Sequence, residues 1–140
     1  MTVPENISRT RLPARLDSLP GLLSPVRACA VGRGLSPQRV NDLELCLEEA
    51  VVNVFRYAYP DGPGEVEVVC RPGTREFTVE IVDQGIPFNP LSLPSPDLDA
   101  DIQRRPVGGM GVFLIRTLVD EVRYRREGGR NILTLTVHHP

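Results

Sequence analysis

No apolar run in this sequence approaches the roughly 20 residues that a bilayer-spanning helix needs, and no charged segment followed by an apolar one opens the chain. Both absences predict a cytoplasmic protein that uses no membrane. Cysteine is sparse: Cys29, Cys46 and Cys70 are odd in number, scattered, and without the paired spacing of a metal site. They are expected as reduced thiols, mostly in the core. Net charge is small as well, at -2, so the composition carries no general attraction to nucleic acid or anionic lipid. Arginine does cluster, at Arg104 and Arg105 and again at Arg123, Arg125, Arg126 and Arg130. Two short clusters fall below a nucleic-acid footprint and are expected on a solvated face. No internal repeat is visible.

What is present, 140 residues with 41% hydrophobic content, suffices for one core and not comfortably for two, so a single domain over 1–140 is expected. The stretch Leu43 to Tyr59, LELCLEEAVVNVFRYAY, reads as a helix. Val40, Leu43, Leu47, Ala50, Val51, Val54 and Ala58 recur at spacings of three and four, which makes one apolar face. At about 100° per residue, Glu49, Asn53 and Arg56 fall within roughly 60° of one another on a polar stripe. Ser36 as N-cap and Pro37 at the first helical position start this helix, and Pro60, Asp61 and Gly62 end it.

Around it, Thr10 to Leu16 reads as a short edge strand. Leu19 to Arg33 has a helical apolar pattern closed by Gly34, with Pro25 placed to begin the helix proper. Glu65 to Cys70 and Glu76 to Val82 alternate with period two about a loop containing Pro and Gly, a hairpin signal. Ile86 to Val107 is aperiodic, carries Pro87, Pro90, Pro94, Pro96 and Pro106, and is expected to be a lid. Gly108-Gly109-Met110-Gly111 then opens a short helix, Val112 to Leu118, before two more strands, Glu121 to Arg126 and Asn131 to Val137. Hairpin-linked strands and three helices predict an α+β fold: a two-layer sandwich of a largely antiparallel, mixed sheet with helices on one face.

Each polar signal alone also fits a bland role. Glu49 and Asn53 suit a surface pair, Asp83-Gln84-Gly85 a turn, and the glycines a flexible loop. Together they answer the needs of a nucleotide site. Glycine-rich backbone leading into a helix offers free N–H groups and a positive dipole end to phosphate. A hard cation such as Mg²⁺ takes oxygen ligands, so the Asn53 amide plus phosphates suffices. Glu49, one turn earlier, is placed to take a proton from an attacking hydroxyl, and Arg56 to neutralise phosphate charge. A buried Asp83 accepts a hydrogen bond from an adenine amino group.

The stretch Leu47 to Tyr59 resembles the N box of the GHKL (Bergerat-fold) ATPases, in the version of the anti-sigma factor serine kinases of partner-switching systems. Asp83 to Phe88 resembles their G1 box and Gly108 to Ile115 their G2 box, and the likeness spans about Leu12 to Val137. It implies Mg²⁺ on Asn53, Glu49 as general base, Asp83 reading adenine, Gly85 letting the base approach, and Gly108, Gly109 and Gly111 cradling the phosphates of ATP. Arg56 matches the basic position of the N box. Such proteins phosphorylate a serine on a STAS-type antagonist, bind a sigma factor in the alternative state, and usually act as homodimers. Two residues depart from the pattern: Pro87 stands where a second G1 glycine is common, stiffening the base of the lid, and Tyr57 where a histidine often follows the basic residue. In the last strand, Asn131 and Thr134 are candidate neighbours of the adenine, against a plain strand-surface role.

Three functions follow. The first is an ATP-dependent protein-serine kinase and anti-sigma factor. The second is a nucleotide-gated binding module without catalysis, to which a retained Glu49 is poorly suited. The third, the ATPase half of a histidine kinase, is disfavoured on the expectation that no dimerisation and phosphoacceptor helix lies upstream, and His138 and His139 are expected at a solvated end.

Overall fold

The structure, a computed structural model, describes residues 7–92 and 109–138. Its elements run β1 (Ser8–Pro13), α1 (Leu19–Gly32), α2 (Pro37–Tyr57), β2 (Glu65–Pro72), β3 (Glu76–Asp83), α3 (Gly109–Leu118), β4 (Glu121–Glu127) and β5 (Arg130–His138). Turns of 3₁₀ helix lie at Leu16–Ser18 and Pro90–Ser92.

Helix α2 begins as its residues dictate. The Ser36 hydroxyl accepts from the Arg39 N–H at 3.2 Å, and Pro37 occupies the first turn, where its missing N–H costs nothing. Helix α1 starts at Leu19, six residues before the expected Pro25, which lies inside it. Burial of Leu22, Val26 and Ala30 along one stripe holds the helix through the proline. Strand β1 starts two residues and ends three residues before its expected bounds, at Ser8 and Pro13. The short helix begins at Gly109, so Gly109 and Gly111 form its first turn and do not precede it. The remaining strands fall within two residues of expectation. Gly108 and residues 93–107 of the expected lid lie outside the described residues.

The five strands form one sheet in the order β1-β2-β3-β5-β4, and every pairing is antiparallel. Glycines at φ +58° and +74°, Gly128 and Gly129, make the tight β4–β5 turn that matches the strands' right-handed twist. Alternation then divides the sheet into two faces. Val66, Val68 and Cys70 of β2, Phe77, Val79 and Ile81 of β3, and Leu133, Leu135 and Val137 of β5 share a core with Leu22 and Val26 of α1, Leu43, Leu47 and Val51 of α2, and Ile115 of α3. Each such side chain, fully covered, contributes about 1.5–3 kcal/mol. All three helices therefore sit on one face.

The opposite face carries the charge. Glu80 lies between Arg71, at 2.7 Å, and Arg125, at 3.6 Å, while Glu67 receives Arg9 and Arg11 at 3.7 and 3.6 Å. The cysteines are free thiols, Cys46 and Cys70 buried and Cys29 half-buried. Burial, reinforced by Asp42 and Glu49, pushes the Cys46 thiol up to about 12, so it stays protonated. Among the described residues, no helix is long and apolar enough to cross a membrane.

The end of β5 is fastened to the start of α2 through Asp120. Its Oδ2 accepts from the His138 N–H at 2.6 Å and from Arg39 Nη2 at 3.0 Å. Asp120→Ala is expected to cost about 1–2 kcal/mol, since the charge-assisted bonds are lost but both side chains are partly solvated. A urea melt would read this as a lower midpoint at unchanged slope.

Candidate functional site

Sheet register builds one wall of the site. Asp83 ends β3 opposite Asn131 of β5, and Asn131 lies opposite Arg126 of β4. Directly opposed residues share a face, so these three stand in a row on the helix side, at the sheet end nearest the C-terminus of α2. The cavity between this row and α2 is lined by Ala50, Asn53, Val54, Asp83, Phe88 and Tyr124, among others, and encloses about 20 Å³. That is room for about one water.

Asp83 is 5% exposed. Its Oδ1 accepts from the Gly85 N–H at 2.9 Å and from Asn131 Nδ2 at 2.8 Å, and neither bond engages Oδ2. Burial raises its pKa above the ordinary 3.8, opposed by those two hydrogen bonds and by the nearby Arg126 charge. A carboxyl whose folded pKa is raised is a burden on stability above that pKa, relieved as the pH falls through it. Asn at this position keeps an oxygen for both N–H donors and has no charge to desolvate. Asp83→Asn is therefore expected to be at least as stable as the parent at pH 7, with the difference shrinking as the solution is acidified. Denaturation midpoints across the acid range test both the sign and the trend.

Asn131 is only 4% exposed, and its amide is fully used. Nδ2 donates to Asp83 and, at 2.7 Å, to the Ile86 carbonyl. Oδ1 accepts from the Tyr124 hydroxyl at 2.6 Å and the Phe88 N–H at 3.2 Å. Of the two candidates in the last strand, Asn131 is thus at the site. Thr134 points to the charged face, beside Arg123 and Arg125.

Gly85 has a packing reason beside the one its motif implies. A Cβ there would stand 2.1 Å from the Ala58 carbonyl oxygen, and Ile86 N–H donates to that same oxygen at 2.9 Å. The turn is thereby laid on the C-terminus of α2. Tyr59 fixes the same corner, its hydroxyl donating to the Glu65 carbonyl and accepting from the Gln84 N–H at 2.8 Å. Burial raises the Tyr59 pKa, which keeps that donor protonated.

Along α2 the polar stripe is graded by depth. Asn53 is 3% exposed, and among the described residues its Nδ2 is a buried side-chain atom with no hydrogen-bond partner. Leaving such a donor bare costs about 1–3 kcal/mol, so the position is suited to a ligand that accepts from it. Glu49 is half-buried, and a Cβ on Gly111 would lie 2.6 Å from its Oε2. Its carboxylate rests on the first turn of α3, where backbone N–H groups favour negative charge. Arg56 is exposed and does not line the cavity. Among the described residues no three His, Cys, Asp or Glu side chains gather as a metal cage. The amide oxygen of Asn53 is one hard ligand of the kind Mg²⁺ accepts beside phosphate oxygens and water, while its bare Nδ2 suits a phosphate oxygen.

Tyr124 and Arg126 join the site without any sequence motif, and Phe88, the last residue of the G1-like stretch, lines its cavity. Phe88 stacks on Tyr57 with ring centroids 4.8 Å apart at 31°. Arg126, one of the arginines expected on a solvated face, instead donates from Nη1 to the Gly85 carbonyl at 2.8 Å. The alternation of β4, with Tyr124 and Arg126 two apart, was the available signal that both turn inward.

Residues 12–137 match the family model described as the histidine kinase-like ATPase domain. The chain is 34% identical over 97 residues to the serine/threonine-protein kinase BtrW of Bordetella bronchiseptica, covering 69% of this chain and 68% of that one. It is 24% identical over 127 residues to the serine-protein kinase RsbW of Bacillus mycoides, covering 88% and 79%. The crystal structure of the RsbU and RsbW domains of Rv1364c from Mycobacterium tuberculosis shares the fold, with a TM-score of 0.65 at 16% identity. That match takes in 98% of this chain and 34% of the longer one. The chain belongs to the histidine kinase-like ATPase domain family, in the branch of the serine/threonine-protein kinases.

Proposed function

We propose that this protein uses ATP to phosphorylate a serine on a STAS-type anti-sigma factor antagonist, and that in its alternative state it sequesters a sigma factor. The observation that carries the catalytic part is the pairing of two groups one helical turn apart. Glu49 keeps a half-buried carboxylate against α3, and Asn53 buries an amide whose Nδ2 has no partner among the described residues. A site that only bound nucleotide would have no use for the carboxylate.

In this reading Asp83 accepts from the adenine amino group through the oxygen that Gly85 and Asn131 leave alone. The Asn53 amide oxygen would hold Mg²⁺, which when bound supplies charge neutralisation at the transferring phosphoryl group, and its bare Nδ2 donates to a phosphate oxygen. Gly109 and Gly111, in the first turn of α3, cradle the phosphates together with Gly108, which lies outside the described residues. Glu49 takes the proton from the attacking serine hydroxyl. A cavity of about 20 Å³ is smaller than a purine, so nucleotide entry requires its lining to move, Phe88 and Pro90 among it. The solved two-domain relative, whose name pairs an RsbW domain with RsbU, is consistent with a place in partner switching. The antagonist binds as the protein substrate, and a homodimer is the assembly proposed.

Incubation with γ-labelled ATP, Mg²⁺ and a STAS antagonist is expected to label a single serine of the antagonist. Stable association without label transfer would overturn the kinase and leave a nucleotide-gated binding module.

A further inference from the structure

We propose that Tyr124 and Arg126, both on the edge strand β4, are positioning residues that hold the Asp83–Gly85 turn in the geometry that reads the base. The inference rests on Asp83 as the reader of the adenine amino group.

The two residues act from different sides. Tyr124 works through Asn131. That amide has two N–H bonds to give and one oxygen to receive, and its surroundings allow one orientation. Asp83 Oδ1 and the Ile86 carbonyl are acceptors, at 2.8 and 2.7 Å, and the Phe88 N–H is a donor, at 3.2 Å. A flipped amide would set oxygen against oxygen twice. The shortest of the four bonds is from the Tyr124 hydroxyl, at 2.6 Å, so Tyr124 locates the amide that in turn locates the carboxylate. Arg126 works on the other end of the turn, donating to the Gly85 carbonyl at 2.8 Å and adding a positive charge near Asp83.

Placement on the edge strand explains why one strand supplies both. β4 pairs with β5 alone, with Tyr124 opposite Leu133 and Arg126 opposite Asn131. Residues two apart share a face, and this face turns toward the site. Tyr124 is half-buried and lines the cavity, while Arg126 is largely exposed and reaches inward only with its guanidinium.

The consequence is a specificity effect. The 6-amino group of adenine donates a hydrogen bond, whereas the 6-oxo group of hypoxanthine accepts one. An acceptor oxygen held in place therefore favours ATP over ITP, and a loosened one favours it less. Binding of each nucleotide is to be measured calorimetrically, with Mg²⁺, for the parent, Tyr124→Phe, Arg126→Gln, Arg126→Lys and Asp83→Asn. Tyr124→Phe and Arg126→Gln are each expected to weaken ATP about 3- to 10-fold while leaving ITP unchanged. Arg126→Lys is expected to recover part of the loss, because a cation is restored without the planar fork.

An ATP to ITP ratio that stays at the parental value in both Tyr124→Phe and Arg126→Gln would overturn the proposal, whether or not overall affinity falls. A ratio altered in one alone keeps the role for that residue and removes it from the other. Asp83→Asn separates the two levels. If its ratio is parental, Asp83 is not the base reader; if its ratio collapses while the β4 variants keep theirs, Asp83 reads the base without help from β4.

Discussion

Glu49→Ala is expected to bind ATP as the parent does and to transfer its phosphoryl group about 10²–10⁴-fold more slowly. The side chain lies one helical turn from Asn53, on the same stripe of α2, and its carboxylate rests against the first turn of α3. A group that removes a proton only as the serine attacks contributes to the transition state and little to the bound ground state. The loss should therefore fall on kcat and leave KM for ATP near its parental value. Glu49→Gln, which keeps the volume against Gly111, should lose transfer to a similar extent and so separate proton transfer from packing. Labelled-ATP assays with the antagonist in excess measure both quantities, and undiminished transfer in either variant would remove Glu49 from the mechanism.

Gly85→Ala is expected to unfasten the base-reading turn. The added methyl carbon would stand 2.1 Å from the Ala58 carbonyl oxygen and 2.6 Å from its Cβ. Backbone, unlike a flexible side-chain end, has little room to yield. Overpacking of this kind costs about 1–3 kcal/mol or more, and relief by moving the turn breaks the Ile86 N–H bond to the Ala58 carbonyl. Asp83, two residues earlier, moves with it. A lower melting temperature together with loss of detectable ATP binding is the expected result. Gly62→Ala is the matched control, since nothing lies within 4 Å of a Cβ there, and it should retain both. Normal ATP affinity in Gly85→Ala would show that the turn tolerates displacement from α2.

Much of this protein is local physics and is therefore legible in its sequence. The three- and four-residue spacing of Val40 to Ala58, with Ser36 and Pro37 before it, determines α2 and its buried face. Two-residue alternation in Glu65 to Val82 determines a hairpin whose inward side chains are those found in the core. The order and chemistry of three motifs likewise mark Asn53 and Asp83, which meet at one cavity, and Glu49 and Gly111, which meet beside it.

Tertiary structure decided what depends on register between strands and on contacts between elements distant in the chain. Pro25 has the local marks of a helix start, but packing of Leu22 against the sheet carries α1 back to Leu19. Arg126 looks in sequence like one more solvated arginine, and only its pairing opposite Asn131 brings its guanidinium to the Gly85 carbonyl. Gly85 reads as a turn former, while the reason it cannot carry a side chain is a carbonyl 27 positions earlier, at Ala58. Spacing along α2 places Glu49, Asn53 and Arg56 on one stripe, yet depth along that stripe is set by what packs over it. Asn53 is buried beside the sheet, Glu49 is half-covered beside α3, and Arg56 is left in solvent. Periodicity reports which way a side chain points from its own element; which neighbour it meets there is a property of the assembled fold.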